Sequence, residues 1–436
     1  MQIGIDGSRA FFKQRTGIEE YSYQVIRHLV TYLVETQHCC VSTNTVQVVL
    51  YLRKNQKIDF NLSADKAGLP ANWKIKVLKW PRFWTQFGLS LEMLLHPVDV
   101  LFIPAHVAPF IHPAHNVSLF SLALFIQKIL KKLGIKTDYN THSDAGGPKK
   151  TFVVVHGLEF EIMPEAYSFW ERIYMRYSIK LSCRWAKKII AVSKNTKKDL
   201  IELYKIPENK IEVIYEGVST VIASPAVSGI NSAKQSLNNS YKLNKKEIAT
   251  VAKLPRNDTL PYLLFIGRLE KRKNIAGIIS AFEILKEKYN IPHSLVLAGL
   301  PGYGYESIKY KIAGSKYKEE IIMPGFVSDE DKFGLIKNAD VFLFPTFYEG
   351  FGLPILEAQS VSVPVVTSNT SSFPEVGGDS VAYVTPSEPM SIADSTYKII
   401  SDESFRNDII KKGNENVKRF SWKKCAEEIA TLLITN

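Results

Sequence analysis

The chain has 436 residues, 45% hydrophobic and 22% charged, which suits two or three folded domains and argues against bulk disorder. Its four cysteines, Cys39, Cys40, Cys183 and Cys425, make no CxxC pair, so neither a disulfide scaffold nor a Cys-rich zinc site is expected, and a reducing cytoplasm fits. The formal charge of +12 is uneven: residues 1–220 hold 29 basic and 19 acidic residues (+10), leaving 26 and 24 (+2) for the rest. A basic first half suits an anionic partner, whether membrane surface, phosphorylated acceptor or nucleic acid, and equally a solubilising surface.

The start, MQIGIDGS, has no basic leader and no long apolar stretch, so no signal peptide is expected. A strand (residues 2–6) leads through a loop to Thr16-Gly17-Ile18, which opens a helix and offers backbone N–H donors. The full GxGxxG fingerprint of nicotinamide binding is missing there. Apolar runs at 46–52, 99–104, 151–156, 187–193 and 210–215 predict further strands, with helical periodicity between them. No run of about 18 apolar residues exists. Residues 117–133 instead form a basic amphipathic pattern, with Leu119, Leu122, Ile126 and Ile129 on one face and Lys128 and Lys132 on another. That pattern suits a helix on the domain's own core or one lying in the headgroup plane of a membrane. His156 ends an apolar strand, the position from which an α/β sheet presents ligand-binding groups.

Residues 219–258, rich in Ser, Ala and Asn, read as a linker. The alternation then resumes, with strands predicted at 261–267, 293–299, 319–325, 340–345, 363–368 and 380–385, and helices at 275–289 and 331–337. Two doubly wound α/β domains facing across a cleft are expected: 1–217, with the amphipathic helix of 421–436 packed back on it, and 218–420. After the strand at 261–267 come Arg268, Lys271, Arg272 and Lys273, well placed for a diphosphate or, on their own, a solvated basic turn. After the strand at 340–345 comes TFYEGFGLPILEAQS, with Pro354 expected as the first helical residue and the amides of Phe351, Gly352 and Leu353 facing outward as an anion site. Glu349 and Glu357 flank that turn and suit hydroxyl-rich groups such as a ribose and a hexose, or simply favour the helix dipole. The string Asp329-Glu330-Asp331 opens a helix and reads as capping rather than as a metal site, so no metal dependence is expected.

Taken together, EGFGLPILE, GRLEKRKN, VSKNTKKDL and PGFVSDEDK, in that family's order and spacing, resemble family 4 glycosyltransferases, retaining enzymes of the GT-B fold that use nucleotide sugars. PAHVAPFIHP with HGLEFEIMPEAYS is similar to bacterial mannosyltransferase-type members. The resemblance implies that Arg268 and Lys273 grip the donor diphosphate, that Glu349 lies near the transferred sugar, and that Glu357 holds the ribose. It implies further that the amides of Gly350, Phe351, Gly352 and Leu353 contact sugar and phosphate, and that Val327 and Asp329 surround the base. Gly17 matches the loop that closes on the diphosphate, and His156 a residue near the reacting carbon. Glu216 in YEGV stands where that family usually has Asn.

The resemblance also implies a front-side mechanism in which a donor phosphate oxygen takes the acceptor's proton, with no cofactor. A hydrogen-bonding carboxylate at Asp329 suits guanine, so GDP-mannose is the expected donor and a UDP-sugar the other choice. The expected acceptor is a glycan or lipid-linked glycan in surface polysaccharide synthesis at the inner face of the membrane. A Rossmann-type oxidoreductase, a non-catalytic sugar-nucleotide binder and a nucleic-acid-binding protein are the competing readings. The paired glutamates oppose the first, the basic pair with both glutamates the second, and the lack of any basic–aromatic module the third.

Overall fold

A computed structural model describes residues 1–12, 15, 17–39, 46–56, 58, 69–80, 84–109, 150–218 and 261–435. The amphipathic segment 117–133 and the linker 219–258 lie outside the described residues.

The first sheet contains β1 (Gln2–Asp6), β2 (Gln47–Arg53), β3 (Trp73–Leu78), β4 (Val100–Ile103), β5 (Lys150–Val155), β6 (Lys188–Ala191) and β7 (Ile211–Val213). Its spatial order is β3-β2-β1-β4-β5-β6-β7, and every neighbouring pair is parallel. The second contains β8 (Tyr262–Ile266), β9 (Ser294–Ala298), β10 (Ile321–Gly325), β11 (Val341–Phe344), β12 (Val365–Ser368) and β13 (Ala382–Val384). These run in the order β10-β9-β8-β11-β12-β13, again all parallel. Strands such as VLFI in β4 and VFLF in β11 are buried at every residue, because helices cover both faces of a parallel sheet. β3 breaks the rule and has no continuous apolar run. It is an edge strand, WKIKVL, in which only Trp73 is buried and Lys74 and Lys76 guard the open edge.

Each sheet reverses its winding once, between β1 and β4 and between β8 and β11. The carboxyl ends of strands at such a reversal form the crevice in which α/β proteins bind ligands.

The chain groups into two units: Met1–Leu158 with Phe169–Gly217 and Ser421–Asn436, and Glu159–Ser168 with Val218–Phe420. The last helix, Trp422–Thr435, packs on the helix Gly17–Cys39. It buries Trp422, Cys425, Ala426, Ile429, Ala430 and Leu433, a single stripe at helical spacing. Glycine is required at 217, because a β-carbon there would lie 2.0 Å from the Trp422 nitrogen.

Candidate active site

The second unit builds its site at the β8/β11 reversal. After β8 the chain makes a short turn, Lys271–Lys273, and enters the helix Ile275–Tyr289 through Asn274 at φ 57°. Asn tolerates this left-handed conformation better than most residues, and here its buried side chain also has work to do. Its Nδ2 donates to the carbonyls of Pro345 (3.0 Å) and Pro386 (2.6 Å). The Phe347 amide donates to the Arg272 carbonyl (3.1 Å), and Arg272 Nη1 donates to the Tyr348 carbonyl (2.9 Å). The turn after β8 is thus fastened to the loop after β11.

That fastening brings two cations onto one carboxylate oxygen. Lys273 Nζ donates to Glu349 Oε1, and Arg272 Nη1 lies 3.2 Å from the same atom. Arg272 Nη2 also donates to Glu270 Oε1 at 2.8 Å. The side chains of Lys273, Arg272 and Glu349 are only 12%, 13% and 16% exposed, so these charges meet with little water between them. Burial alone would raise the Glu349 pKa, but the charges of Lys273 and Arg272 outweigh it and hold the carboxyl below its usual range. Burial likewise opposes the Arg272 charge, and Glu349, Glu159 and Glu270 more than compensate. At Lys273 burial wins over the attraction of Glu349, and its pKa falls below that of a free lysine.

The backbone of this loop is clamped by a Ser-Ser pair. Ser371 Oγ donates to the Glu349 carbonyl and accepts from the Glu349 amide (3.1 Å). Ser372 Oγ reaches the carbonyls of Glu349 (3.0 Å) and Phe351. Gly352 then starts the helix Leu353–Ser360 at φ 118°. A β-carbon there would be strained and would press on the Phe373 ring at 3.3 Å. Pro354 is the second residue of this helix rather than the first, so Leu353 retains the one N–H of the opening pair. Phe351 is buried against Phe420.

Glu357, on the same helix, pairs with Lys332 at 2.7 Å. Lys332 lies on the helix Asp329–Lys337, which Val327 precedes. The helix is capped by Ser328, whose Oγ accepts from the Asp331 amide.

Ten of the twelve sequence-predicted site residues belong to the second unit; Gly17 and His156 belong to the first. The structure brings Lys273 onto Glu349. It leaves Arg268 exposed just after β8, with no ion pair to a described residue. Arg272, named in the sequence only as one of four cations after the strand, is the second partner of Glu349. A triplet of basic residues does not show which side chain turns inward, and Ser371 and Ser372 had no signal beyond their place after β12.

In the first unit, Gly17 is the first residue of its helix, and an added β-carbon would meet nothing within 4 Å. His156 follows β5, and its side chain is 9% exposed. Its Nε2 lies 2.8 Å from the Pro104 carbonyl and its Nδ1 3.3 Å from Glu216 Oε1. Among the described residues no three His, Cys, Asp or Glu side chains group as a metal would need, and no helix is long and apolar enough to cross a membrane.

Two all-parallel Rossmann-like sheets, the second with cations and a carboxylate joined at its reversal point, have the GT-B fold. The family model "Glycosyl transferases group 1" matches residues 247–416, and "Glycosyltransferase Family 4" matches residues 106–221. The O-antigen chain mannosyltransferase B of Escherichia coli is 31% identical over 280 residues, covering 64% of this chain and 69% of that protein. The capsular polysaccharide biosynthesis glycosyltransferase CapM of Staphylococcus aureus is 31% identical over 290 residues, with the same coverage of 64% and 69%. The crystal structure of Anabaena HepE in complex with UDP and glucose superposes with a TM-score of 0.62 over 100% of both chains at 16% identity, a likeness of fold. The chain belongs to glycosyltransferase family 4 and is a hexosyltransferase.

Proposed function

We propose that this enzyme transfers mannose, with retention of configuration, from GDP-mannose to a glycan or lipid-linked glycan acceptor in surface polysaccharide synthesis. The observation that carries the reading is Glu349 held by Lys273 and Arg272 at the β8/β11 reversal. The mannosyltransferase relative from Escherichia coli supports the choice of sugar.

In this reading Lys273, with Arg268 and Arg272, stabilises the charge that develops on the departing diphosphate. Such a preorganised donor is worth about 10²–10³ in rate. Glu349 accepts from hydroxyls of the transferred sugar, and Glu357, released from Lys332, accepts from the ribose. The Gly350 to Leu353 backbone approaches sugar and phosphate. Val327 and Asp329 flank the base, where a carboxylate at 329 suits the N1–H and N2–H of guanine. Gly17 and His156 serve from the first unit, and a phosphate oxygen of the donor receives the acceptor's proton. No metal or cofactor enters, and the basic first half, including 117–133, meets an anionic membrane surface at its cytoplasmic face.

A thermal-shift panel of GDP, UDP and ADP tests the donor. A nucleotide at 100 times its Kd stabilises the fold by about 2.7 kcal/mol. GDP is expected to give the largest shift; a UDP shift with none for GDP overturns the base assignment.

A further inference from the structure

The helix Phe169–Trp185 of the first unit turns its aromatic residues away from the core. It buries Ser178, Ile179, Ser182 and Cys183. Trp170, Tyr174 and Tyr177, spaced four and three apart, form one stripe on the other face. Trp170 is 76% and Tyr177 63% exposed, and Phe169 beside Trp170 is exposed as well. The solvent face of a surface helix is ordinarily charged or polar. Rings left in water over a contiguous surface mark a contact with something else.

The stripe does not end at the helix. Gln86 Nε2 donates to Tyr174 Oη at 2.9 Å, which fixes the turn Trp84–Leu89 beside it. From that turn Phe87 projects into solvent and stacks on the exposed Trp80, with ring centroids 6.3 Å apart and planes 27° from parallel. Two aromatic groups thus flank one hydrogen bond.

Charge then selects the partner. Every fourth residue of the helix from Arg172 is basic, with Arg176, Lys180 and Arg184 following, against one acid, Glu171. Lys180 and Arg184 are exposed and continue the stripe toward the end of the helix, and Lys79 is exposed next to Trp80. A glycan, rich in hydroxyls, is gripped by carboxylates and amides, and this face is poor in them. A second copy of the chain would bring like charge against like. Trp and Tyr favour the boundary between water and an apolar phase, and Lys and Arg favour the anionic headgroups found there.

We propose that this face, with Trp170, Tyr174, Tyr177, Phe87 and Trp80 between the cations Lys180 and Arg184 and Lys79, is the surface by which the first unit seats on a bilayer containing anionic lipid. This rests on the reading that the first unit meets an anionic membrane surface, and adds inserted rings to that reading's net charge. The rings enter the headgroup layer and the cations stay at the level of the phosphates. Binding then has a salt-sensitive part and a salt-resistant part.

Flotation of the full chain with vesicles of phosphatidylcholine, alone or with a third of phosphatidylglycerol, reads the binding. The wild type is expected to float with the mixed vesicles and to keep part of that binding in high salt. Trp170→Ser/Tyr177→Ser is expected to bind them about 10²-fold more weakly, about tenfold for each ring withdrawn. Lys180→Glu/Arg184→Glu is expected to lose the preference for phosphatidylglycerol. Trp170→Phe keeps an apolar ring, so it is expected to float like the wild type while losing part of the fluorescence quenching by lipids brominated near the headgroup. All four positions are solvated, so thermal unfolding midpoints are expected to stay unchanged. Equal flotation of Trp170→Ser/Tyr177→Ser overturns the assigned surface and leaves the membrane reading standing. No flotation of the wild type overturns both. A wild-type dimer that Trp170→Ser/Tyr177→Ser converts to a monomer, or tighter retention of the wild type on single-stranded DNA than on the mixed vesicles, overturns the proposal in favour of a second copy or a nucleic acid.

Discussion

Replacing Glu349 with Gln separates the pairing seen in the structure from the sugar contact proposed for the same carboxylate. In the free protein its Oε1 takes bonds from both Lys273 and Arg272, so it competes with any diphosphate for those cations. A bond to a charged partner is worth about 1.5–3 kcal/mol, and a neutral amide oxygen still accepts at roughly half the strength. About 1.4 kcal/mol is thereby returned to the cations, which is tenfold in affinity. Glu349→Gln is therefore expected to bind GDP about tenfold more tightly, measured calorimetrically. The same change removes the carboxylate proposed to hold the sugar, so kcat is expected to fall about 10²–10³-fold. Arg272 keeps Glu270 at 2.8 Å, so the fold survives with a stability loss of about 1–3 kcal/mol. Weaker GDP binding together with normal turnover would refute the reasoning, because Glu349 would then be neither competitor nor sugar ligand.

Lys273→Ala leaves Glu349 paired with Arg272, so the protein is expected to fold while kcat/KM drops about 10²–10³-fold in a donor-consumption assay. Glu357→Ala, which frees Lys332, is expected to raise the KM for the donor and spare kcat, because ribose contacts are alike in ground and transition states; a kcat defect alone counts against the ribose role. Gly352→Ala puts a β-carbon at φ 118° against Phe373 and is expected to lower stability by about 1–3 kcal/mol in urea unfolding, with an unchanged midpoint as the contrary result. Glu349 has a folded pKa below its unfolded value, so its contribution to stability is complete above about pH 4.5 and is lost as pH falls through the folded value. Acid unfolding of Glu349→Gln is expected to be less steep over that range than that of the wild type.

Twelve of the thirteen strands were legible as apolar runs, because strands covered on both faces cannot carry charge. β3 was not, since an edge strand protects itself with the lysines that hide it from such a reading. In the site, Lys273, Glu349, Gly352 and Glu357 were legible because strand ends and helix starts restrict which residues serve there. The inward turn of Arg272 depends on tertiary bonds from Asn274 and to Tyr348, which spacing along the chain does not encode. The pairing of His156 with Glu216, 60 residues apart, likewise becomes visible only once β5 and β7 flank β6.

The most direct test of the account is the anomeric outcome with GDP-mannose. Purified enzyme, donor and a mannose-terminated glycan acceptor are followed by proton and carbon NMR. The account predicts release of GDP with growth of an α-mannoside, the configuration of the donor. A β-mannoside, or no release of GDP beside rapid consumption of a UDP-sugar, would contradict it.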